Sequence, residues 1–268
     1  DWSSDVCSSD LNYIYNVAPK DGATLAAVGR EMPTAALFGQ ENIRFRTDEF
    51  TWIGNLESAE TFCGAWHTTG FTKAEELLQR PLIVGATTGD SITVTQPAAL
   101  NNLLGTKFKV IAGYRGGADM HLALQRGEVQ GRGGVSYSNV VQLHPDLVRA
   151  GKFLFVAQIG LDRDKAMPDA PLITELAKDD EARQVLRFIS TPVRLGRPYF
   201  VAPGVPADRV GLLRKAFEAT MQDKAFLAEG DKQALDIQPV GWSDVEKVVQ
   251  ETVKTPPSVL AKTKELVG

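Results

Sequence analysis

The sequence contains little cysteine, little histidine and little net charge. Of its 268 residues, two are cysteine and three are histidine. Cys7 lies within the first eleven residues, which differ in character from the rest, and Cys63 is the only cysteine that follows them. An internal disulfide and a multi-cysteine metal site are therefore excluded in residues 12–268. Cys63 is predicted to pack inside a strand. No H-E-x-x-H, C-x-x-C or G-x-x-x-x-G-K-[ST] pattern occurs, so neither zinc hydrolysis nor nucleoside triphosphate binding is predicted, and no cofactor or metal is expected.

The first eleven residues differ in character from the rest. Ser3-Ser4-Asp5 recurs as Ser8-Ser9-Asp10 without an apolar period, so residues 1–11 are expected to be a non-native segment, similar to translated adapter sequence, that lies outside the fold. Leaving out its three aspartates lowers the 33 acidic residues to 30, against 29 basic ones, and moves the net charge from −4 to −1. A nearly neutral chain gives no basis for binding nucleic acid or a polyanionic membrane surface.

The most informative pattern lies between Leu82 and Ser138, where strand, glycine-rich loop and helix follow one another twice and a third strand comes after. Leu82–Val84 leads into the loop Gly85–Ser91, and Phe108–Ile111 leads into the loop Gly113–Gly117. Both loops are expected to open on the same edge of a parallel sheet. Backbone N–H groups and helix N-termini at such an edge favour anions. The pattern therefore predicts the binding of an anionic small molecule.

Apolar runs predict the other elements, and no run of 18 or more apolar residues occurs. Strands are predicted at 24–28, 51–56, 62–67, 129–132, 153–159, 199–202 and 237–240. Helices are predicted at 72–79, 95–104, 118–126, 172–178, 181–190, 207–222 and 243–252. The alternation of strands and helices predicts parallel sheets with helices on both faces.

Three segments, in order, resemble one family. Leu104–Arg132 closely resembles the substrate-binding proteins of tripartite tricarboxylate transporters. Ala18–Leu25 is similar to that family's A-P-x-D-G-x-T-L turn and strand, and Pro203–Pro206 with the following helix is similar to its return crossing. The resemblance covers about all of Asn12–Gly268.

The resemblance implies an α/β fold of two lobes, the periplasmic-binding-protein fold of the second type, with each lobe a mostly parallel sheet flanked by helices. It places lobe 1 at residues 12–66 and 199–268 and lobe 2 at residues 67–198. Members of the family have a strand that ends in a glycine-rich loop, then a helix and a second strand, before the A-P-x-D-G turn. The chain is therefore expected to lack that part of lobe 1 and to be truncated at its N-terminus.

The resemblance also places a ligand loop at the start of the helix that contains Pro97, where hydroxyl and N–H groups can hold a carboxylate. The residues of this first loop are Thr87, Thr88, Gly89, Asp90 and Ser91. The alternative is an ordinary turn in which Asp90 or Ser91 caps the helix.

The second loop contains Tyr114, Arg115, Gly116 and Gly117. Tyr114 is expected to form a wall of the site, Arg115 offers a fork for a carboxylate, and the glycines let the backbone approach a ligand. The alternative for Arg115 is a solvated side chain beside a tight turn.

Two further pairs complete the predicted ligand site. Ser136 and Tyr137 are expected in a third loop, at 133–138, with Tyr137 either a wall or a core aromatic. Arg30 and Met32 follow the strand at 24–28 and are expected to face the ligand from lobe 1. Arg30 could instead pair with neighbours of Glu31 at the surface.

The resemblance implies an extracytoplasmic, periplasmic receptor that captures a small carboxylate between its lobes and delivers it to the membrane subunits of a secondary transporter. A monomer with no catalytic residue is expected. The alternatives are a small-molecule hydrolase or transferase on an α/β scaffold, and a ligand-sensing module for a signalling partner. Gly134-x-Ser136-x-Ser138 is one residue short of a G-x-S-x-G nucleophile elbow.

Overall fold

The computed structural model divides the chain into two compact units. The first contains Asp1–Ala59 and Thr191–Pro256, and the second contains Glu60–Ser190 and Pro257–Gly268. These limits differ from the expected lobes, because the strand near residue 62 and the last helix both belong to the second unit. The structure describes residues 4–28, 30, 36–38, 43–57, 60–87, 91–137, 140–141, 144–164, 167–233, 235 and 237–267.

The elements of these residues are numbered in chain order. The helices are α1 Ser4–Asn16, α2 Glu76–Gln79, α3 Ile92–Leu104, α4 Gly117–Gln125, α5 Pro145–Arg149, α6 Asp180–Ser190, α7 Ala207–Thr220, α8 Lys224–Lys232, α9 Trp242–Val253 and α10 Pro257–Val267. The strands are β1 Ala26–Ala27, β2 Thr51–Asn55, β3 Thr61–Trp66, β4 Leu82–Gly85, β5 Phe108–Ile111, β6 Gly131–Ser136, β7 Phe153–Ile159, β8 Pro198–Val201 and β9 Val240–Gly241. In the described part of the chain, no helix combines the length and hydropathy that a membrane crossing requires.

The first unit is built on a sheet with strand order β1-β8-β2-β9. Side chains alternate along β2, so that Trp52 and Ile53 enter different cores. Trp52 packs with Phe50 and Phe200, whose ring centroids are 4.3 Å apart, and with apolar residues of α1 and α9. Ile53 packs with Val201 and Val210 beside α7. The sheet is therefore covered by helices on both faces.

Helix α1 corrects the expectation that residues 1–11 lie outside the fold. The helix begins at Ser4, and Leu11 is 2% exposed. Leu11 and Ile14 are three residues apart, so they lie on one face of the helix and both pack in the core beside Phe50. Leu11 is thus a core residue of the first unit.

The second unit contains a sheet with strand order β5-β4-β6-β3-β7. β4 is parallel to β5 and to β6, as the strand-loop-helix pattern predicts. β3 is antiparallel to both of its neighbours, and every described pair in the first unit is antiparallel. The expectation of a mostly parallel sheet in each lobe is therefore correct only for β4, β5 and β6 and is wrong for the other strands. Alternation along the chain does not show which distant strand will be the partner.

Helix α10 closes one face of the second unit. Val259 and Leu266 are buried, and Asn102 of α3 donates a 2.9 Å hydrogen bond from Nδ2 to the carbonyl oxygen of Leu266. The sequence does not predict this helix, because Pro256 and Pro257 mark a break in the chain. Proline is well tolerated in the first turn of a helix, where its missing N–H has no partner to lose.

Candidate functional site

The loops that follow β4 and β5 lie side by side at one edge of the second unit's sheet. Ala86 N–H donates to Ile111 O at 2.8 Å, and Tyr114 N–H donates to Ala86 O at 3.2 Å. Gly113 N–H donates to Thr87 O at 2.8 Å. These bonds continue the parallel ladder beyond the strand ends. The prediction that both loops open on the same edge is confirmed.

Three hydroxyl groups cluster where the first loop enters α3. Ser91 is the N-cap of the helix, and its Oγ accepts from Thr93 N–H at 3.1 Å. Thr87 Oγ1 donates to Ser91 Oγ at 2.8 Å, Thr87 N–H donates to Thr93 Oγ1 at 3.1 Å, and the hydroxyls of Ser91 and Thr93 are in contact. The cluster stands at the positive end of the α3 dipole, which favours an anion.

Thr93 completes this cluster and was not among the residues predicted for the site. Its position two residues after an N-cap serine was the available signal, because the N-cap side chain accepts from the backbone N–H of the second or third helical residue. Ser91 caps α3, as the alternative of an ordinary turn with a capping serine predicts. Thr88, Gly89 and Asp90 lie outside the described residues.

The Ser91 cap leads to a stability prediction. Ser91→Ala removes the oxygen that satisfies Thr93 N–H, so we expect the free energy of unfolding to fall by about 1 kcal/mol, measured by urea denaturation. Ser91→Asn keeps a capping oxygen and is the matched control, with a loss below half of that value. Equal losses in the two variants would contradict a capping role.

Two glycines of β6 let α3 pack close to the sheet. A Cβ on Gly133 would overlap the Pro97 ring, and a Cβ on Gly134 would lie 2.5 Å from Ile92 O. Gly134 also has a φ of +67°, which L side chains rarely adopt. The expected third loop at 133–138 is thus wrong for residues 133–136, which belong to β6. Its glycines serve helix packing.

The second loop separates into a packed aromatic and an exposed cation. A Cβ on Gly85 would lie 3.3 Å from Tyr114 Cε2, so the tyrosine ring lies over the end of β4. The Arg115 side chain is 90% exposed and donates from Nε to Asp119 Oδ2 at 2.9 Å. Gly116 is the N-cap of α4 and Gly117 is its first residue. Arg115 therefore has the geometry of the solvated alternative, and Tyr114 is half-buried beside the edge.

Ser136 is the last residue of β6, and Tyr137 follows it. Ser136 is paired in register with Thr61 of β3. The Tyr137 ring lies 5.0 Å from that of Phe155, and Tyr137 packs against the core, which is the aromatic-core alternative. Their role in binding a ligand stays a prediction.

Arg30 belongs to the first unit and pairs with an acidic residue there. Arg30 Nη2 lies 3.6 Å from Glu57 Oε1, and Arg197 Nε lies 3.7 Å from the same oxygen. The predicted alternative was a pair between Arg30 and neighbours of Glu31. The observed partner, Glu57, is 27 residues further along the chain than Arg30. Met32 lies outside the described residues.

The comparisons with known proteins give a fold likeness. No protein-family model matches the chain, and no curated protein matches it. A TctC solute-binding protein from Polaromonas matches with a TM-score of 0.70 and 19% identity, over 97% of this chain and 81% of that one. Rpa4515 of R. palustris with adipate matches with a TM-score of 0.62 and 17% identity, over 98% and 83% of the two chains. MatC from Rhodopseudomonas palustris with bound malate matches with a TM-score of 0.60 and 17% identity, over 99% and 85%.

These likenesses extend over nearly the whole of this chain, and both sheets and their flanking helices fall within them. The chain therefore has the two-lobed α/β fold of the TctC-type solute-binding proteins.

Proposed function

We propose that the protein is a solute-binding receptor for a small carboxylate. The observation that carries the proposal is the joined pair of loops at the carboxyl edge of β4 and β5, with the hydroxyls of Thr87, Ser91 and Thr93 at the start of α3. An anion at this edge would meet hydroxyl donors and the positive end of a helix dipole. Two proteins of the same fold are described with adipate and with malate, which supports a carboxylate as the ligand class.

We further propose that the receptor acts in the periplasm as a monomer and passes its ligand to the membrane subunits of a tripartite tricarboxylate transporter. The support is the TctC-type fold together with the three family-like segments of the sequence. Tyr114 is the proposed wall of the ligand site, because its ring lies over the end of β4. Binding is proposed to leave the ligand chemically unchanged.

The test is a ligand panel read by thermal unfolding and calorimetry. Malate, adipate and citrate are compared with neutral diols and diamides of the same chain lengths. A carboxylate at 100-fold over its Kd is expected to stabilise the protein by about 2.7 kcal/mol, a rise in Tm of roughly 5–10 °C for a chain of this size. Failure of every carboxylate to stabilise the protein would overturn the proposal.

A pair of threonine variants tests the position of the ligand. Thr87→Val keeps the side-chain shape and removes the hydroxyl, whose proton would turn from Ser91 Oγ to the ligand on binding. The Kd for the best carboxylate is therefore expected to rise about tenfold for the loss of one charge-assisted hydrogen bond. Thr220→Val is the control, because Thr220 is exposed in the first unit and its hydroxyl bonds to Ala216 O of its own helix. Equal affinities of the two variants would remove Thr87 from the site.

The hydrolase alternative is tested on the same samples. Ser91 Oγ bonds to the hydroxyls of Thr87 and Thr93 while it caps α3, which is the arrangement of a helix cap and differs from a nucleophile beside a base. Ligand recovered after a day with the protein is expected to give an unchanged NMR spectrum. Product signals that disappear with Ser91→Ala would instead support an enzyme.

A further inference from the structure

Arg132 is a charged side chain in the interior of the second unit. It lies on β6 and is 4% exposed. Its register partners on the neighbouring strands are Gly64 and Gly85, so no side chain flanks it directly on the same face of the sheet. A Cβ on Gly64 would overlap the Phe153 ring, and a Cβ on Gly85 would lie 3.3 Å from Tyr114 Cε2, so these two rings take the place of flanking side chains. The Arg132 side chain is therefore buried on a face of the sheet where aromatic rings fill the neighbouring positions.

Two stacked histidines, His121 on α4 and His144 at the N-terminus of α5, lie close enough to Arg132 for its charge to lower the pKa of both. The rings of His121 and His144 are 3.3 Å apart and nearly parallel, and the Trp66 ring meets His121 edge-on at 6.1 Å. Gln125 Nε2 lies 3.3 Å from His121 Nε2, and an amide donor there requires a neutral imidazole with a free acceptor nitrogen. Burial, His144 and Arg132 all lower the pKa of His121, to about 4.

The charge of Arg132 has no counter-charge in the described part of the chain. Its Nε is buried without a hydrogen-bond partner, and so is Nε2 of His144. No described carboxylate forms an ion pair with Arg132, and the acids on and just after α4, Asp119 and Glu128, pair with Arg115 and Arg126. An unpaired charge in an apolar interior is costly, so such groups normally have a partner.

We propose that Arg132, His121 and His144 form a binding site for a small oxoanion inside the second unit. The anion's oxygens accept from the planar fork of Arg132 and from His144 in its Nε2–H form, while His121 stacks behind His144. Two oxygens on one centre match the guanidinium fork, as in carboxylates, sulfate and phosphate. This site uses none of the hydroxyls of the α3 cluster, so it does not depend on the proposed receptor function.

The test uses the histidine ring signals of the ¹⁵N-labelled protein. The chain has three histidines, and His67 is exposed and serves as an internal reference. Sulfate, phosphate and acetate are titrated separately at constant pH and ionic strength. The signals of His121 and His144 are expected to shift along one saturable curve while those of His67 stay in place. Comparison of the sulfate and phosphate titrations with the acetate titration shows whether the site binds a tetrahedral oxoanion or a planar carboxylate.

Arg132→Met supplies the decisive comparison. The variant is expected to lose the saturable shifts and any rise in Tm caused by the anion. In buffer without oxoanions its Tm is expected to equal or exceed that of the parent, because an apolar side chain of similar size replaces an unpaired buried charge. Shifts that are linear and equal for all three histidines, or that persist in Arg132→Met, would overturn the proposal. A lower Tm of the variant without oxoanions would also overturn it, since Arg132 would then have a structural partner.

Discussion

Gly134→Ala is expected to lower the free energy of unfolding by about 2–5 kcal/mol. A left-handed backbone costs an L-residue about 1–2 kcal/mol, and a forced close contact costs about 1–3 kcal/mol more. Gly134 combines a φ of +67° with a Cβ position 2.5 Å from Ile92 O and 2.7 Å from Gln96 Oε1. The carbonyl belongs to the first turn of α3 and cannot turn aside as a side chain can.

Gly70→Ala is the matched control for this prediction. Gly70 has the same φ of +67°, and no atom lies within 4 Å of the position that a Cβ would occupy there. This variant is therefore expected to lose only the backbone contribution, about 1–2 kcal/mol. Urea denaturation of both variants gives the cost of the contact by difference. Equal losses would mean that α3 moves away from β6 without a measurable penalty.

Acidification from pH 7 to pH 5 is expected to destabilise the protein by about 2 kcal/mol through His121 alone. The pKa of His121 is lowered to about 4 in the folded chain, mainly by burial, whereas an unfolded histidine titrates near 6.5. Between pH 4 and pH 6.5 His121 binds more protons in the unfolded chain than in the folded chain, so the free energy of unfolding rises with pH. The stabilisation that the neutral His121 gives the folded chain is fully present above about pH 6.5 and is lost as the pH falls towards 4. The pKa of His144 is also lowered, by burial and by Arg132, so its effect has the same sign.

Chemical denaturation at pH 7, 6 and 5 checks this expectation. His121→Phe keeps an aromatic ring against His144 and cannot take up a proton, so its loss of stability over the same range is expected to be less than half that of the parent. His67→Gln is the control, because His67 is exposed, and it should follow the parent. A parallel decline of parent and His121→Phe would place the acid sensitivity elsewhere.

The sequence predicts the strands of the second unit well, because apolar runs between glycine and proline are a local signal. Predicted strands at 82–84, 108–111 and 153–159 match β4, β5 and β7 within a residue. Whether a strand runs parallel or antiparallel depends on its partner strand, which can be distant in sequence. The family resemblance placed β3 in lobe 1, but its partners β6 and β7 lie about 70 and 90 residues further along the chain, in the second unit.

The candidate site shows the same division between local and distant information. The cap formed by Ser91 and the shared loop edge follow from nearby residues, and both could be predicted. The burial of Arg132 could not, because it depends on two glycines in other strands and on histidines from two other segments. The predicted helix at 172–178 is instead a short 3-10 helix at Ile173–Leu176, because Leu172 and Ala177 both have extended backbones and bound it on either side.

The chain order of the two units bears on how the protein is made. The second unit is interrupted after Ser190 and is completed only by α10, and the first unit is interrupted between Ala59 and Thr191. As the chain leaves the ribosome, residues 60–190 emerge with the faces of α3 and α6 that α10 later covers still open to solvent. The final folding step of the second unit must therefore wait for α10, which is synthesised after the whole of the first unit.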